Sequence, residues 1–211
     1  MSASSLPSTS SVHNPLGVRT IDHLEFYVDD VEKWVQLHES WLGLYRRAEG
    51  DTSTGLAGKR SVVVGQGRVN FVFSQPEGNS PEARAIQTFL DRHGCGVKDV
   101  AFKVDSVETA LKHASSAGAQ VVRPEVSVGD FSCGTIAAYG DNVHSFVQRG
   151  KSRQFLPGFN NVPGGVELAS IHIMMIDHIV SNVEDMDQWV DFYARVFGFD
   201  ETAHFDIDTG R

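Results

Sequence analysis

Ile21-Asp22-His23-Leu24-Glu25-Phe26-Tyr27-Val28 returns later in the chain as Ile176-Asp177-His178-Ile179-Val180-Ser181-Asn182-Val183. The two stretches stand 155 residues apart, and the same offset pairs Asp30 with Asp185, Trp34 with Trp189, Val35 with Val190 and Gly43 with Gly198 without a gap. A match that keeps register through a strand-like run and then a helix-like run marks a duplicated supersecondary unit. Each copy carries an Asp-His pair on its strand-like stretch. A histidine held on a strand is a candidate metal ligand, so the repeat bears on both fold and chemistry.

Around the first copy, residues 20–28 alternate as a half-buried strand does. Asp29 and Asp30 are helix-start residues, Val31, Trp34, Val35, Leu37 and Leu42 recur at helical spacing, and Gly43 stops the helix. Leu44 to Glu49 reads as a second strand, and Ser61–Val64 and Val69–Ser74 as a hairpin about Gly65-Gln66-Gly67. The order strand, helix, strand, strand, strand then repeats. A loop from Gly78 to Pro81 and a helix from Glu82 to His93 lead to a strand from Val97 to Val104. Asp105 or Ser106 caps a helix with Val107, Ala110, Leu111 and Ala114 on one face, and Gly118 stops it. Strands follow at Val121-Val122, Cys133–Tyr139 and Val143–Gln148, with Gly140-Asp141-Asn142 as the last turn. This unit aligns on the first at an offset of 76, Val97 on Ile21, Phe102 on Phe26 and Val107 on Val31.

The fold expected is therefore α+β, built from repeated βαβββ modules. Residues 1–19 read as a disordered Ser-rich tail, and 20–150 as an N-terminal domain of two modules. Residues 151–170 read as a linker, with Pro157, Gly158, Pro163, Gly164 and Gly165. Residues 171–211 read as the start of a further domain: a strand from Ile171 to Val183, a helix from Asp185 to Phe197, and a strand from Phe199 to Ile207.

Composition narrows the function classes. The 211 residues are 41% hydrophobic and 21% charged, with a formal net charge of −9. That balance argues against a nucleic-acid surface and against an anionic membrane surface as partners. No apolar run has the length of a membrane span. Cys95 and Cys133 are the two cysteines, so no disulfide framework is expected and the reducing cytoplasm is the expected compartment. Gly65-Gln66-Gly67 joins two strands and has no helix N-terminus to meet a phosphate. Trp34, Trp41 and Trp189 read as core, and Cys95 beside His93 reads as no nucleophile.

Paired βαβββ units are the pattern of the vicinal oxygen chelate fold, and four motifs carry a closer resemblance. Gly96-Val97-Lys98-Asp99-Val100-Ala101-Phe102-Lys103-Val104, Gly140-Asp141-Asn142-Val143-His144-Ser145-Phe146-Val147, Phe155-Leu156-Pro157-Gly158-Phe159 and Phe205-Asp206-Ile207 resemble, in order and spacing, the 4-hydroxyphenylpyruvate dioxygenase family. The resemblance spans residues 20–211. It implies a non-catalytic N-terminal domain and a C-terminal domain holding Fe(II) on two His and one Glu, with positions open for a 2-oxo acid and O₂. The implied reaction is oxidative decarboxylation with ring hydroxylation to homogentisate, in a homo-oligomer when complete. It also implies that His178 is the first metal ligand and that Val180, two residues on along the same strand face, lines the substrate pocket. In the family the other His and the Glu come beyond the stretch covered here, so the chain resembles an N-terminal portion carrying one of three ligands. His204 matches no ligand of the family.

Other readings of the same residues remain open at this stage. His178 by type alone fits a buried hydrogen-bonded histidine better than a metal ligand, and the family resemblance reverses that order. His23, Asp99 and Gln148 would form a rival site in the first domain, weakened by the uncharged Gln148. His23-Leu24-Glu25 also reads as the H-x-E half of a different Fe(II) oxygenase class, but that class sits on a jelly roll and the helices argue against one. Hydroxymandelate synthase and a non-catalytic binding or assembly domain are the alternative functions.

Overall fold

The computed structural model describes residues 13–163 and 171–205. The first unit comprises β1 (Val18–Tyr27), α1 (Val31–Leu42), β2 (Tyr45–Gly50), β3 (Lys59–Gln66) and β4 (Val69–Pro76). α2 (Pro81–His93) leads to the second, β5 (Gly96–Val104), α3 (Val107–Ser116), β6 (Val121–Val128), β7 (Phe131–Ala137) and β8 (Val143–Gln148). A short β9 (Asn160–Asn161) and α4 (Met186–Phe197) follow. Among the described residues one nine-stranded sheet runs in the order β6-β7-β8-β5-β1-β4-β3-β2-β9. β1 and β5 pair antiparallel at its centre. Each lies parallel to the last strand of its own unit, β1 to β4 and β5 to β8. The two units therefore have the same topology, as the 76-residue offset predicts.

The 155-residue repeat persists in the helix ends. Asp30 Oδ1 accepts from Lys33 N at 3.2 Å and Asp185 Oδ1 from Gln188 N at 3.0 Å. Gly43 and Gly198 both close their helices in the left-handed region, at φ 64° and 71°. At α3 the cap is Ser106, whose Oγ accepts from Thr109 N. A second device recurs in both units: Gln75 Oε1 accepts from Val31 N at 2.9 Å and Gln148 Oε1 from Val107 N at 3.2 Å. In each case a side chain on a neighbouring strand satisfies one of the orphan N–H groups of a helix start.

β3 is buried on both faces, with Val62, Val63 and Val64 all at 0% exposure. Val62 and Val64 pack with Val31, Val35 and Phe73 under α1, while Val63 packs with Ala48, Leu56, Val72 and Phe159 on the other side. The largest cluster joins Leu24, Phe102, Leu111, Ile136 and Phe146 to Val196 and Phe197 of α4. α4 thus belongs to the helical layer over the first domain's own sheet.

Several expectations need correction. Residues 13–19 are not a tail: Leu16 is 1% exposed, and the Asn14 side chain both donates to Val18 O and accepts from Val18 N, each at 2.9 Å. Residues 1–12 lie outside the described residues. The expected linker is docked over its described part: β9 pairs with β2, Phe159 is buried, and Thr54 Oγ1 donates to Gly158 O at 2.6 Å. Residues 164–170 lie outside the description. Gly65 and Gln66 stay in the ladder, so the hairpin turn is Gly67-Arg68, with Gly67 at φ +55°, where only glycine is unstrained.

The strands expected from Ile171 to Val183 and from Phe199 are absent in 171–183 and 199–205. An extended run becomes a strand only beside another strand, and among the described residues none pairs with either run. The first run is held at its start by Arg68 N donating to Met174 O at 2.9 Å and by Ile173 N donating to Gln66 Oε1 at 2.7 Å. Asp206 and Ile207 lie outside the described residues.

The core assignment makes a stability prediction. Phe73 is fully buried against Phe26, Trp34 and His38. Phe73→Ala should cost about 3–5 kcal/mol, as large-to-small core changes do. A urea titration checks this, and a midpoint unchanged from wild type would contradict the packing described.

Candidate functional site

The first Asp-His pair lies on the sheet face opposite α1 and α3, and it is closed. Asp22 Oδ1 accepts from His23 Nδ1 at 2.7 Å. Both Asp22 oxygens also accept from Arg149, Nη2 to Oδ1 and Nε to Oδ2, each at 2.7 Å. Burial acts to raise the Asp22 carboxyl, but the hydrogen bonds from Arg149 and His23 outweigh it and hold the group well below the usual carboxylate range. Arg149 also donates to the Phe155 carbonyl and lies 5.0 Å from the centre of its ring. That ring stands edge-on to His23 at 5.6 Å. The docked linker therefore roofs His23, which is 5% exposed.

Beside it, Glu25 of β1 and Asp99 of β5 are direct cross-strand partners. Two buried carboxylates in that position repel unless each is compensated. Burial acts to raise the Glu25 carboxyl, and the charge and hydrogen bond of Lys59, with a hydrogen bond from Ser74 Oγ at 2.7 Å, bring it below its ordinary value. Burial raises Asp99 despite donors from Ser145 N at 3.0 Å and Ser145 Oγ at 2.5 Å. The Tyr27 phenol is pushed far up, by burial first and then by Glu25 and Asp99. Burial likewise lifts the Cys133 thiol to about 11, which makes it a poor nucleophile.

The rival set of His23, Asp99 and Gln148 is thus not a site. His23 serves Asp22, Asp99 is held by Ser145, and Gln148 caps α3. Among the described residues, no group of three or more His, Cys, Asp or Glu side chains could hold a metal ion.

The second pair is open. Asp177 Oδ2 accepts from His178 Nδ1 at 3.0 Å, and the His178 side chain is 76% exposed. Val180 is 81% exposed. Ile176 packs against the main core, and Ser181 Oγ donates to the Tyr139 hydroxyl at 2.6 Å. His178 is on the rim of a cavity of about 620 Å³ between β1, β5 and α4, walled by Ile21, Phe102, Ile179, Tyr193 and Phe199. His204 lines a different, larger cavity, and its Nδ1 donates to Glu201 Oε1 at 3.1 Å. His178 and His204 are therefore not brought to one site. The donor chemistry of His178 suits a metal, since a carboxylate on Nδ1 fixes the tautomer that presents Nε2. Taken together, the described residues do not assemble a three-ligand centre around His178.

Sequence reasoning missed His144 as a structural centre. It is 3% exposed on β8. Nδ1 lies 3.3 Å from Val100 O and Nε2 2.7 Å from the Tyr193 hydroxyl. Phe102, Tyr193 and Phe197 surround the ring. Its alternation with Phe146 on the strand was the available signal of an inward position. Arg149 gave no signal, because its partner Asp22 is 127 residues away.

Burial lowers His144 from 6.5 to about 4. As pH falls below the ordinary histidine value, the unfolded chain takes up this proton before the folded one. The His144 contribution is therefore complete above about pH 6.5 and lost toward pH 4, by about 3 kcal/mol in all. Urea midpoints at pH 7 and 4.5 should converge more in His144→Gln than in wild type. An equal acid loss in both would show that His144 is not the group responsible.

Three comparisons bear on what this arrangement belongs to. Residues 12–159 match the family described as hydroxyphenylpyruvate dioxygenase, HPPD, N-terminal, and residues 175–211 match the glyoxalase/bleomycin resistance protein/dioxygenase superfamily. A 4-hydroxyphenylpyruvate dioxygenase of Yarrowia lipolytica is 34% identical over 207 residues, covering 92% of this chain and 52% of that protein. One of Plectranthus scutellarioides is 34% identical, covering 89% and 47%. The chain spans about half the length of the curated relatives it matches. Among solved structures, a triple mutant of 4-hydroxymandelate synthase from Streptomyces coelicolor superposes with a TM-score of 0.75 at 24% identity, over 92% of this chain and 57% of that one. Methylmalonyl-CoA epimerase from Mycobacterium tuberculosis superposes with a TM-score of 0.53 at 18% identity, over 69% of this chain and 93% of that one. These two likenesses show the fold, a mixed-sheet vicinal oxygen chelate domain. With its N-terminal model matched over 12–159, the chain belongs to the hydroxyphenylpyruvate dioxygenase N-terminal family.

Proposed function

We propose that this chain is the N-terminal half of an Fe(II)-dependent 4-hydroxyphenylpyruvate dioxygenase, which converts 4-hydroxyphenylpyruvate, a 2-oxo acid, and O₂ to homogentisate and CO₂. The observation that carries the reading is the order of the two matches, a dioxygenase N-terminal domain over 12–159 and then a superfamily domain opening at 175. Residues 20–150 form the non-catalytic domain, whose own Asp-His pair is spent on Arg149 and roofed by Phe155. His178 is one of three iron ligands, and Val180, exposed on the same segment, lines the substrate pocket. The remaining His and Glu come from polypeptide that the relatives have and this chain does not cover. Iron held by the complete ligand set would supply a centre open to chelation by the 2-oxo acid and to O₂. This chain's own share is to present His178 with Asp177 fixing its tautomer. Two unpaired cysteines support a reducing, cytoplasmic setting, and the complete protein is expected to form a homo-oligomer.

The 211-residue chain should give no substrate-dependent O₂ uptake with added Fe(II) and ascorbate. The same sequence extended along its coding frame should make homogentisate. In that longer protein His178→Ala should lose iron per chain and product together. His23→Ala should keep its iron and mainly lose stability, by about 1–3 kcal/mol for the partner left unsatisfied. Iron lost in His23→Ala and retained in His178→Ala would overturn the assignment.

A further inference from the structure

Besides apolar packing, the hydrogen bonds at Ile173 and Met174 and that of Arg195 to the Ala117 carbonyl, two hydroxyl contacts join the first domain to the unit that opens at residue 171. His144 Nε2 and the Tyr193 hydroxyl are 2.7 Å apart, beneath Phe102 and Phe197. Ser181 Oγ donates to the Tyr139 hydroxyl at 2.6 Å. Tyr139 also stands edge-on to Trp189 of α4 at 5.7 Å. One tyrosine of the first domain therefore contacts both the extended segment and the helix that follows it. Ser181 is three residues after His178, and Tyr193 is on α4. Both arms of the corner between segment and helix are pinned to the end of β7 and to β8.

The pins are particular to the second copy of the repeat. At the 155-residue offset Ser181 replaces Phe26, and Tyr193 replaces His38. In the first copy Phe26 is packed between Phe71 and Phe73, and His38 Nδ1 contacts Trp34 O within its own helix. At both of these hydroxyl pins, Ser181 and Tyr193, the repeat departs from itself. Apolar contact resists separation but is non-directional. A hydrogen bond weakens steeply away from its line and so fixes orientation as well.

We propose that Tyr139 and His144 are positioning residues, and that the N-terminal domain is the template on which the His178-bearing segment is set at a fixed angle to α4. The inference rests on the proposed function only for the role of His178. It gives the non-catalytic domain a task in the reaction: it orients a ligand-bearing segment that has no strand neighbour among the described residues.

The first test uses the 211-residue chain and reads amide hydrogen exchange. Tyr193→Phe should speed exchange at residues 190–197 about tenfold, the worth of one hydrogen bond, while 97–104 stays unchanged. The double variant with His144→Gln should be no faster than the worse single one. Unchanged exchange in α4, or an equal rise in 97–104, overturns the proposal. The second test uses the protein extended to the relatives' length. Ser181→Ala and Tyr139→Phe should lower kcat about tenfold with KM for 4-hydroxyphenylpyruvate held, again the scale of one hydrogen bond, and Ser181→Thr, which keeps the hydroxyl, should recover it. Full kcat in Ser181→Ala also overturns the proposal. A wild-type protein without turnover, beside the expected exchange effect, supports the docking and sinks only the function reading.

Discussion

The antiparallel pairing of β1 with β5 is the constraint on which the rest depends. It joins two βαβββ units into one sheet, with each unit's remaining strands laid out on its own side. It also sets Glu25 opposite Asp99, and this forces the polar arrangement around them. Lys59 and Ser74 answer one carboxylate and Ser145 the other. A slip of one residue would turn these groups to the helical face and bring Leu24, Phe26 and Phe102 out of it.

Covering both faces of that sheet decides which histidine is available. On one face lie α1, α3 and α4. On the other, Phe155, Leu156 and Phe159 of the chain after β8 pack against Ala48, Val63 and Val72. The buried Asp22–Arg149 pair sits under this cover. Removing one member of such a pair is costlier than never having built it, since a lone charge stays behind. The first Asp-His pair has thereby become structural. The second, on a segment outside the sheet, keeps an exposed imidazole.

Much of the fold was legible in residue patterns. The helix start at Asp30, one of the two cap candidates at Asp105 and Ser106, the start at Asp185 to within one residue, and the stops at Gly43 and Gly198 all correspond to observed element ends. These are local signals, set by orphan N–H groups and left-handed backbone within a few residues. What escaped was non-local. The Pro- and Gly-bearing stretch after β8 reads as a free connection, yet Phe155 and Phe159 give it enough apolar area to dock. Leu16 does the same for residues 13–19, whose composition reads as a tail. Period-2 alternation from Ile176 onward reads as a strand, but pairing needs a neighbour that sequence pattern cannot supply.

By itself, then, the sequence determined the unit, its duplication, and the pair of Asp-His motifs that raise the question of a metal. These follow from periodicity and capping, which are properties of short runs. The family resemblance singles out His178, and the tertiary structure supplies the physical difference between the two motifs. That structure placed Arg149 on Asp22 across 127 residues, laid Phe155 over His23, turned Gln148 to a helix cap, and tied Tyr193 to His144. The physical reason is that burial and partnership, not residue type, set whether an imidazole is a fixed strut or an open donor, and both are decided by chain segments far apart in sequence.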